Sequence, residues 1–236
     1  MIVSIDPWRQ ILSAAGLELI DGIPVPGYVR FELRDPFGNR LELIEALPYE
    51  TPSDNVEKPG VTAMSCPKTN EYPPHYSPYI SLVPEDDILL AMRTEQVQTL
   101  RFLSGVIDRD ASVCHSPYTW TIKQVIGHLT DSERIFGYRA LRFARRDTTA
   151  LPGFDENHYA QCAESDERPL TAHAAEFEAV RKSHLCLFEN FPAHAWDERG
   201  RANADEITVR AIAYAIVGHE RHHMSIVRRR LASAHV

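Results

Sequence analysis

Paired cysteines are missing from this 236-residue chain: Cys66, Cys114, Cys162 and Cys186 stand far apart and form no Cys-x-x-Cys motif. That spacing excludes a disulfide framework and argues against a cysteine-built zinc site. No stretch approaches the ~18–20 consecutive apolar residues that a bilayer crossing needs, so no membrane partner is expected. Basic charge is in deficit, 25 Lys and Arg against 33 Asp and Glu, for a net charge of −8 and a pI near 5.8. Such a balance disfavours a nucleic-acid backbone or an anionic lipid surface as partner. The opening "MIVSIDPWRQ" lacks the basic region, apolar run and small-residue cleavage site of a secretory signal, which predicts a cytoplasmic protein with reduced thiols. Internal repeats and low-complexity tracts are absent too.

Proline is unevenly placed. Half of the 16 prolines fall between Pro48 and Pro84, where missing amide donors and restricted predecessors predict an extended, irregular segment. This divides the chain into a piece over residues 1–46, a linker over 47–77 and a larger piece over 78–236. The first piece reads as mixed α/β. Asp6 and Pro7 open a short helix that Gly16 closes. "LELID", "YVRFELR" and "RLELIEAL" then alternate like half-buried strands, with "DPFGN" as a turn.

Beyond the linker the apolar period becomes helical and no convincing strand is evident. Four long helices are predicted over about Glu85–Val106, Thr121–Arg145, Leu170–Asn190 and Asp205–Leu231. The second opens on a capping box, Thr121 with Gln124. Four such helices, each with one apolar stripe, bury those stripes most simply as a four-helix bundle. The expected fold is therefore mainly α, with a small N-terminal α/β fragment.

The chemistry lies in the 11 histidines. In a helix, residues four apart are ~40° from each other on one face. His219 and His223 meet that condition, on the stripe Ile212, Ile216, His219, His223, Ile226. Neutral imidazoles buried beside isoleucines need partners for their nitrogens. A metal ion is one such partner; an ordinary satisfied core is the other. His128, mid-helix in "VIGHLTDSE", is the candidate third ligand, and three histidines leave a coordination position open for catalysis. His222 points ~100° away from His223 and reads as a supporting or surface residue. Asp131 and Glu133 either orient ligands or face water, Asp131 being the better supporting carboxylate. Arg139, 11 residues after His128 on the same face, either meets an anionic substrate or pairs with a neighbouring helix. His115, His158, His173, His184, His194 and His235 are expected to be solvated. The basic runs Arg142–Arg146 and Arg228–Arg230 end long helices, where cations complement the dipole.

With these residues in place, the larger piece resembles the DinB/YfiT-like family from Pro78 to Leu231. The resemblance rests on "YISLVPEDD", "YTWTIKQVIGHLTDSERIFGYRALRFAR", "LPGFDEN" and "VGHERHHMSIV". It implies a four-helix bundle with a divalent metal, nickel or zinc, held by His128, His219 and His223. It further implies either transfer of a low-molecular-weight thiol or hydrolysis of a small molecule. The rival reading is a non-catalytic bundle with a structural ion, serving as an interaction module or homodimer. The segment "LPGFDENHYAQCAESDER" is long for a bundle connection and is expected to cover the site. The first piece resembles the closing strands of a vicinal-oxygen-chelate domain through "PGYVRFELRDPFGNRLELIE". Glu42 matches that family's ligand glutamate, but the modules that would supply its partner ligands are absent.

Overall fold

The computed structural model describes residues 6–21, 28–34, 40–46 and 65–234. The chain divides into two compact units, Met1–Gly60 and Val61–Val236. The Asp6 side chain, the "DPFGN" turn, the linker up to residue 64 and the side chain of Glu42 lie outside the described residues.

The first unit follows the expected order of a helix and three strands: α1 (Asp6–Ala14), β1 (Leu19–Asp21), β2 (Tyr28–Arg34) and β3 (Arg40–Ala46). Gly16 stops α1 in the left-handed region, at φ +79°. Around it the Leu17 amide returns to the Leu12 carbonyl and the Gly16 amide to that of Ser13, which satisfies the last carbonyls of the helix. The strands form an antiparallel sheet in the order β1-β2-β3, with Phe31 opposite Leu43 and Glu32 opposite Glu42. Among the described residues Phe31 and Leu33 are buried, packed by Leu12, Leu17 and Leu19.

The second unit is a helical bundle. Its elements are α2 (Ser77–Ile80), α3 (Ile88–Leu103), α4 (Asp108–Ala111), α5 (Ile122–Ala144), α6 (Glu156–Cys162), α7 (Leu170–Glu189), β4 (Arg199–Ala202), β5 (Asp205–Thr208) and α8 (Val209–Ala234). The four long helices are α3, α5, α7 and α8. Both α3 and α5 pack against α7 and α8, so the sequence neighbours α3 and α5 lie diagonally across the bundle. Polar groups set where each helix begins. The Thr121 hydroxyl accepts from the Gln124 amide at 3.1 Å while the Gln124 side chain accepts from the Thr121 amide at 2.9 Å. Asp87 caps α3 and Asp155 caps α6. The Leu170 amide opening α7 donates to Asp108, whose other oxygen holds Lys123 of α5.

Two expectations from sequence are corrected here. Strands do occur in the larger piece: β4 and β5 pair as an antiparallel hairpin. Its turn is made by Asn203 and Ala204, both at positive φ, the backbone that matches strand twist in a two-residue hairpin. Four-residue strands such as "RGRA" carry no β-branched or aromatic signal, so pattern reading passes over them. In consequence α8 begins four residues later than expected, where the Thr208 hydroxyl accepts from the Ala211 amide. The second correction concerns residues 65–77, assigned to the linker. Here Glu71 is buried, accepting from the Thr208 hydroxyl at 3.0 Å and from Arg210 at 3.1 Å, so this stretch fastens the start of α8.

The core falls into two apolar clusters. One gathers Ile80, Ile88, Met92, Phe136, Leu185, Phe188, Ile212 and Val217; the other gathers Leu103, Ile126, Leu129, Phe177, Met224 and Val227. Burying such side chains contributes about 1.5–3 kcal/mol each. Between the clusters, every long helix places a buried polar side chain: Thr99 on α3, Glu133 on α5, Arg181 on α7 and Glu220 on α8. No helix among the described residues is long and apolar enough to cross a membrane.

Candidate metal centre

α5 and α8 pack directly on each other, and that contact carries His128 to His219 and His223. His128 Nε2 and His219 Nε2 are 3.1 Å apart. Ring centroids lie 4.9 Å apart for His128 and His219, 5.0 Å for His128 and His223, and 4.5 Å for His219 and His223. One nitrogen from each ring lies within 4.8 Å of the other two. Nitrogens around a tetrahedral ion at ~2.0–2.1 Å sit ~3.3–3.4 Å apart, so a pair at the outer limit closes by up to ~1.5 Å on an ion, a change within the reach of side-chain rotation.

The donor set suits a cation. Burial holds His219 well below the ordinary histidine range, reinforced by His223, His128 and His222. Burial, then His128 and His222, bring His223 down to about 3. Burial lowers His128 as well, partly offset by the carboxylates of Glu156 and Asp131. All three rings are therefore neutral near pH 7, with lone pairs free to bind. The three histidines can hold one divalent ion.

Aromatic side chains wall the rings. Trp120 packs on His128 with centroids 4.9 Å apart, and Tyr79 meets His219 and His222 edge-on at 5.3 and 5.4 Å. Phe136 meets His219 at 6.1 Å. Trp120 is held by its carbonyl, which accepts from Arg230 at 2.8 Å. Tyr79 depends on Gly218: a Cβ there would lie 2.0 Å from the Tyr79 carbonyl oxygen, so only glycine lets α2 settle on α8 beside His219. Burial and then Glu156 push the Tyr79 phenol up, leaving it a protonated donor. Glu156 sits at the start of α6, within the long connection between α5 and α7. That connection also touches α5 next to His128, where a Cβ on Gly127 would meet Ser165 Oγ at 2.9 Å.

Behind the rings lies a closed charged cluster. Arg181, fully buried, donates to both oxygens of Glu133 at 2.6 and 2.8 Å, to Glu220 at 2.8 Å and to the Met92 carbonyl at 3.0 Å. The Thr99 hydroxyl donates to the other oxygen of Glu220 at 2.7 Å. Burial alone would raise both carboxyls. For Glu133 the Arg181 charge and bonds from Arg181 and His184 outweigh it and hold the group low. For Glu220 burial wins and the group is raised.

The structure separates the remaining sequence candidates. His222 touches Tyr79 and His223 at ring distance, outside the trio. Asp131 accepts from Arg134 at 3.1 Å, and His128 Nδ1 contacts the Ser132 hydroxyl at 3.4 Å. Arg139 stands behind the wall rather than at the histidines: it lies ~16 Å along α5 from His128, its guanidinium is over the Phe136 ring at 5.9 Å and donates to the Pro152 carbonyl at 3.1 Å, and it is buried. Glu133 faces the core rather than water. Of His173 and His184, both expected in solvent, His173 is buried against the Ser165 carbonyl at 2.8 Å and His184 is largely covered beside Glu133 at 3.4 Å. The run Arg228–Arg230 stops a turn short of the end of α8, and Arg230 is buried under the Val113 and Trp120 carbonyls, so its role is to hold a loop. Sequence reading missed Tyr79, Trp120, Arg181 and Glu220. The last two carried a signal: each is a charge on an apolar stripe, in Phe177–Arg181–Leu185 and Ile216–Glu220–Met224.

Comparison with known proteins agrees with this architecture. The chain matches the DinB superfamily over residues 91–227, more than half of its length. No curated protein matches it. Among solved structures it is similar to YfiT from Bacillus subtilis, described as a probable metal-dependent hydrolase with an unusual four-helix bundle topology. That similarity has a TM-score of 0.57 at 17% identity and covers 62% of this chain and 87% of YfiT.

Proposed function

The chain belongs to the DinB superfamily, and on that premise we propose that it is a divalent-metal-dependent hydrolase of a small molecule. The observation that carries this reading is the convergence of three neutral, largely buried imidazoles from two helices, walled by aromatic rings. His128, His219 and His223 would hold the ion, nickel or zinc. When bound, it supplies Lewis acidity, which makes a proton of water or a thiol easier to remove near neutral pH. The chain's own residues do the rest. Tyr79 keeps its proton and stands beside His219 as a hydrogen-bond donor for a substrate carbonyl. Glu156 acts electrostatically on both His128 and Tyr79 and is the carboxylate placed to accept a released proton. Tyr79, Trp120 and Phe136 exclude water from around the rings.

Hydrolysis is favoured over transfer of an anionic low-molecular-weight thiol because the carboxylates of Glu156 and Asp131 act on His128; Arg139, the sequence candidate for an anion receptor, is committed to Pro152. The protein is read as cytoplasmic and as acting without nucleic acid or membrane. The N-terminal unit is read as a vicinal-oxygen-chelate-like fragment with no metal of its own. Untagged protein should hold about one nickel or zinc per chain and hydrolyse members of a panel of neutral esters, amides and lactones. Metal content below about 0.2 equivalents after dialysis against nickel or zinc sinks the metal assignment. Full occupancy without turnover, with loss of the fold on chelation, supports the structural-ion alternative instead.

A further inference from the structure

We infer that Arg181 is a positioning residue of the metal centre, clamping α5 to α8 at the register where His128 meets His219 and His223. The inference rests on the metal-binding reading above. Its first ground is placement. Thr99, Glu133, Arg181 and Glu220 form a polar level across all four helices of the bundle, with an apolar cluster on either side. His219 joins Glu133, Arg181 and Glu220 in lining one crevice with no room for a water molecule. The helices that Arg181 ties together are the two that bear the histidines: Glu133 follows His128 by five residues on α5, and Glu220 follows His219 directly on α8.

The second ground is energetic. A buried charged triad is a poor device for stability, because desolvation offsets most of the attraction and apolar side chains of similar volume do as well or better. It does supply direction. Apolar stripes tolerate small axial slides, whereas a bidentate Arg181–Glu133 pair sharing its guanidinium with Glu220 has one geometry. A metal centre demands ligand placement to a few tenths of an ångström. A slide of α8 along α5 would spread the 3.1 Å His128–His219 pair; the clamp resists that slide. Thr99 braces Glu220 from α3.

The test measures affinity for Co2+ and Zn2+, the visible spectrum of the Co2+ complex, and thermal melting of the metal-free protein. The first variant replaces the triad together, Glu133→Leu, Arg181→Met and Glu220→Leu, so that no charge is left buried alone. Metal-free melting is expected to stay near wild type, while affinity falls ~10–100-fold, as for partners that orient metal ligands, with an altered Co2+ spectrum. Wild-type affinity and spectrum in this variant overturn the inference. If the triple variant does not fold, Thr99→Val, which removes one hydrogen bond and no charge, reads the same quantity. A several-fold weaker Co2+ affinity with unchanged metal-free melting supports the clamp; unchanged affinity overturns it. Wild-type protein that binds neither ion fails earlier and takes the metal reading with it, so the two failures are distinguishable.

Discussion

Two polar groups sit mid-bundle, and they differ in how their valences are met. The Arg181 cluster is closed: donors and carboxylate acceptors match within the protein, from four helices and at 2.6–3.0 Å. The histidine trio is open: one nitrogen from each of three rings lies within 4.8 Å of the other two. Burial favours the neutral state of each ring, so each keeps one lone-pair nitrogen. A divalent cation would complete the trio, as Arg181 completes the carboxylates.

The comparison is broken most strongly from the closed side. Arg181→Met alone leaves Glu133 and Glu220 buried with no counter-charge, and should destabilise the fold by about 3–5 kcal/mol, read by urea unfolding. A loss under ~1 kcal/mol would mean that the cluster is wetter than it looks. On the open side, His219→Ala should lower metal affinity by ~100-fold or more, because only His128 and His223 of a three-ligand site remain. The metal-free protein should melt within a few degrees of wild type, and a collapse of that melt would place His219 in the core's stability instead. Gly218→Ala bears on the aromatic wall beside His219. Its Cβ would collide with the Tyr79 carbonyl, and overpacking of this kind costs about 1–3 kcal/mol, with a weaker effect on metal binding. Full wild-type stability would show that α2 moves freely on α8.

The mildest perturbation is pH. His219, His223 and His128 titrate below ordinary histidine in the folded chain, so below about pH 6.5 the unfolded chain binds more protons. Their contribution is complete above pH 6.5 and is lost as pH falls toward the folded value, about 3 for His223. Chemical denaturation of metal-free protein should show stability declining from pH 6.5 toward 4, and His223→Gln should flatten that decline. An unchanged slope in the variant would remove His223 from the account. For activity, Glu156→Gln should lower turnover while leaving metal content intact, measured by kcat beside metal analysis.

Much of the bundle was legible because helices write their geometry locally. The Thr121 and Gln124 box and the i, i+4 pair of His219 and His223 both depend on neighbours within one turn. The same locality explains the errors. Nothing within a helical turn of His173 or His184 marks them as covered, since their partners are the Ser165 carbonyl in the preceding connection and Glu133 on another helix. Arg139 shares the face of His128, yet axial distance and Pro152 take it out of the site. The β4–β5 hairpin depends on two positive-φ residues that are neither glycine nor a recognisable turn pair.

The sequence by itself determined that four amphipathic helices would form, that their stripes would be buried together, and that two imidazoles would share one face of the last. Period and capping are consequences of backbone geometry over three or four residues, so they need no partner to be read. Only the tertiary structure decided that α5 lies against α8 rather than α3, which brings His128 to the pair, and that Arg181 meets two carboxylates from different helices. Those outcomes are set by side-chain packing between segments some 40 to 90 residues apart in the chain, where shape and charge must be satisfied together and no local pattern records the partner.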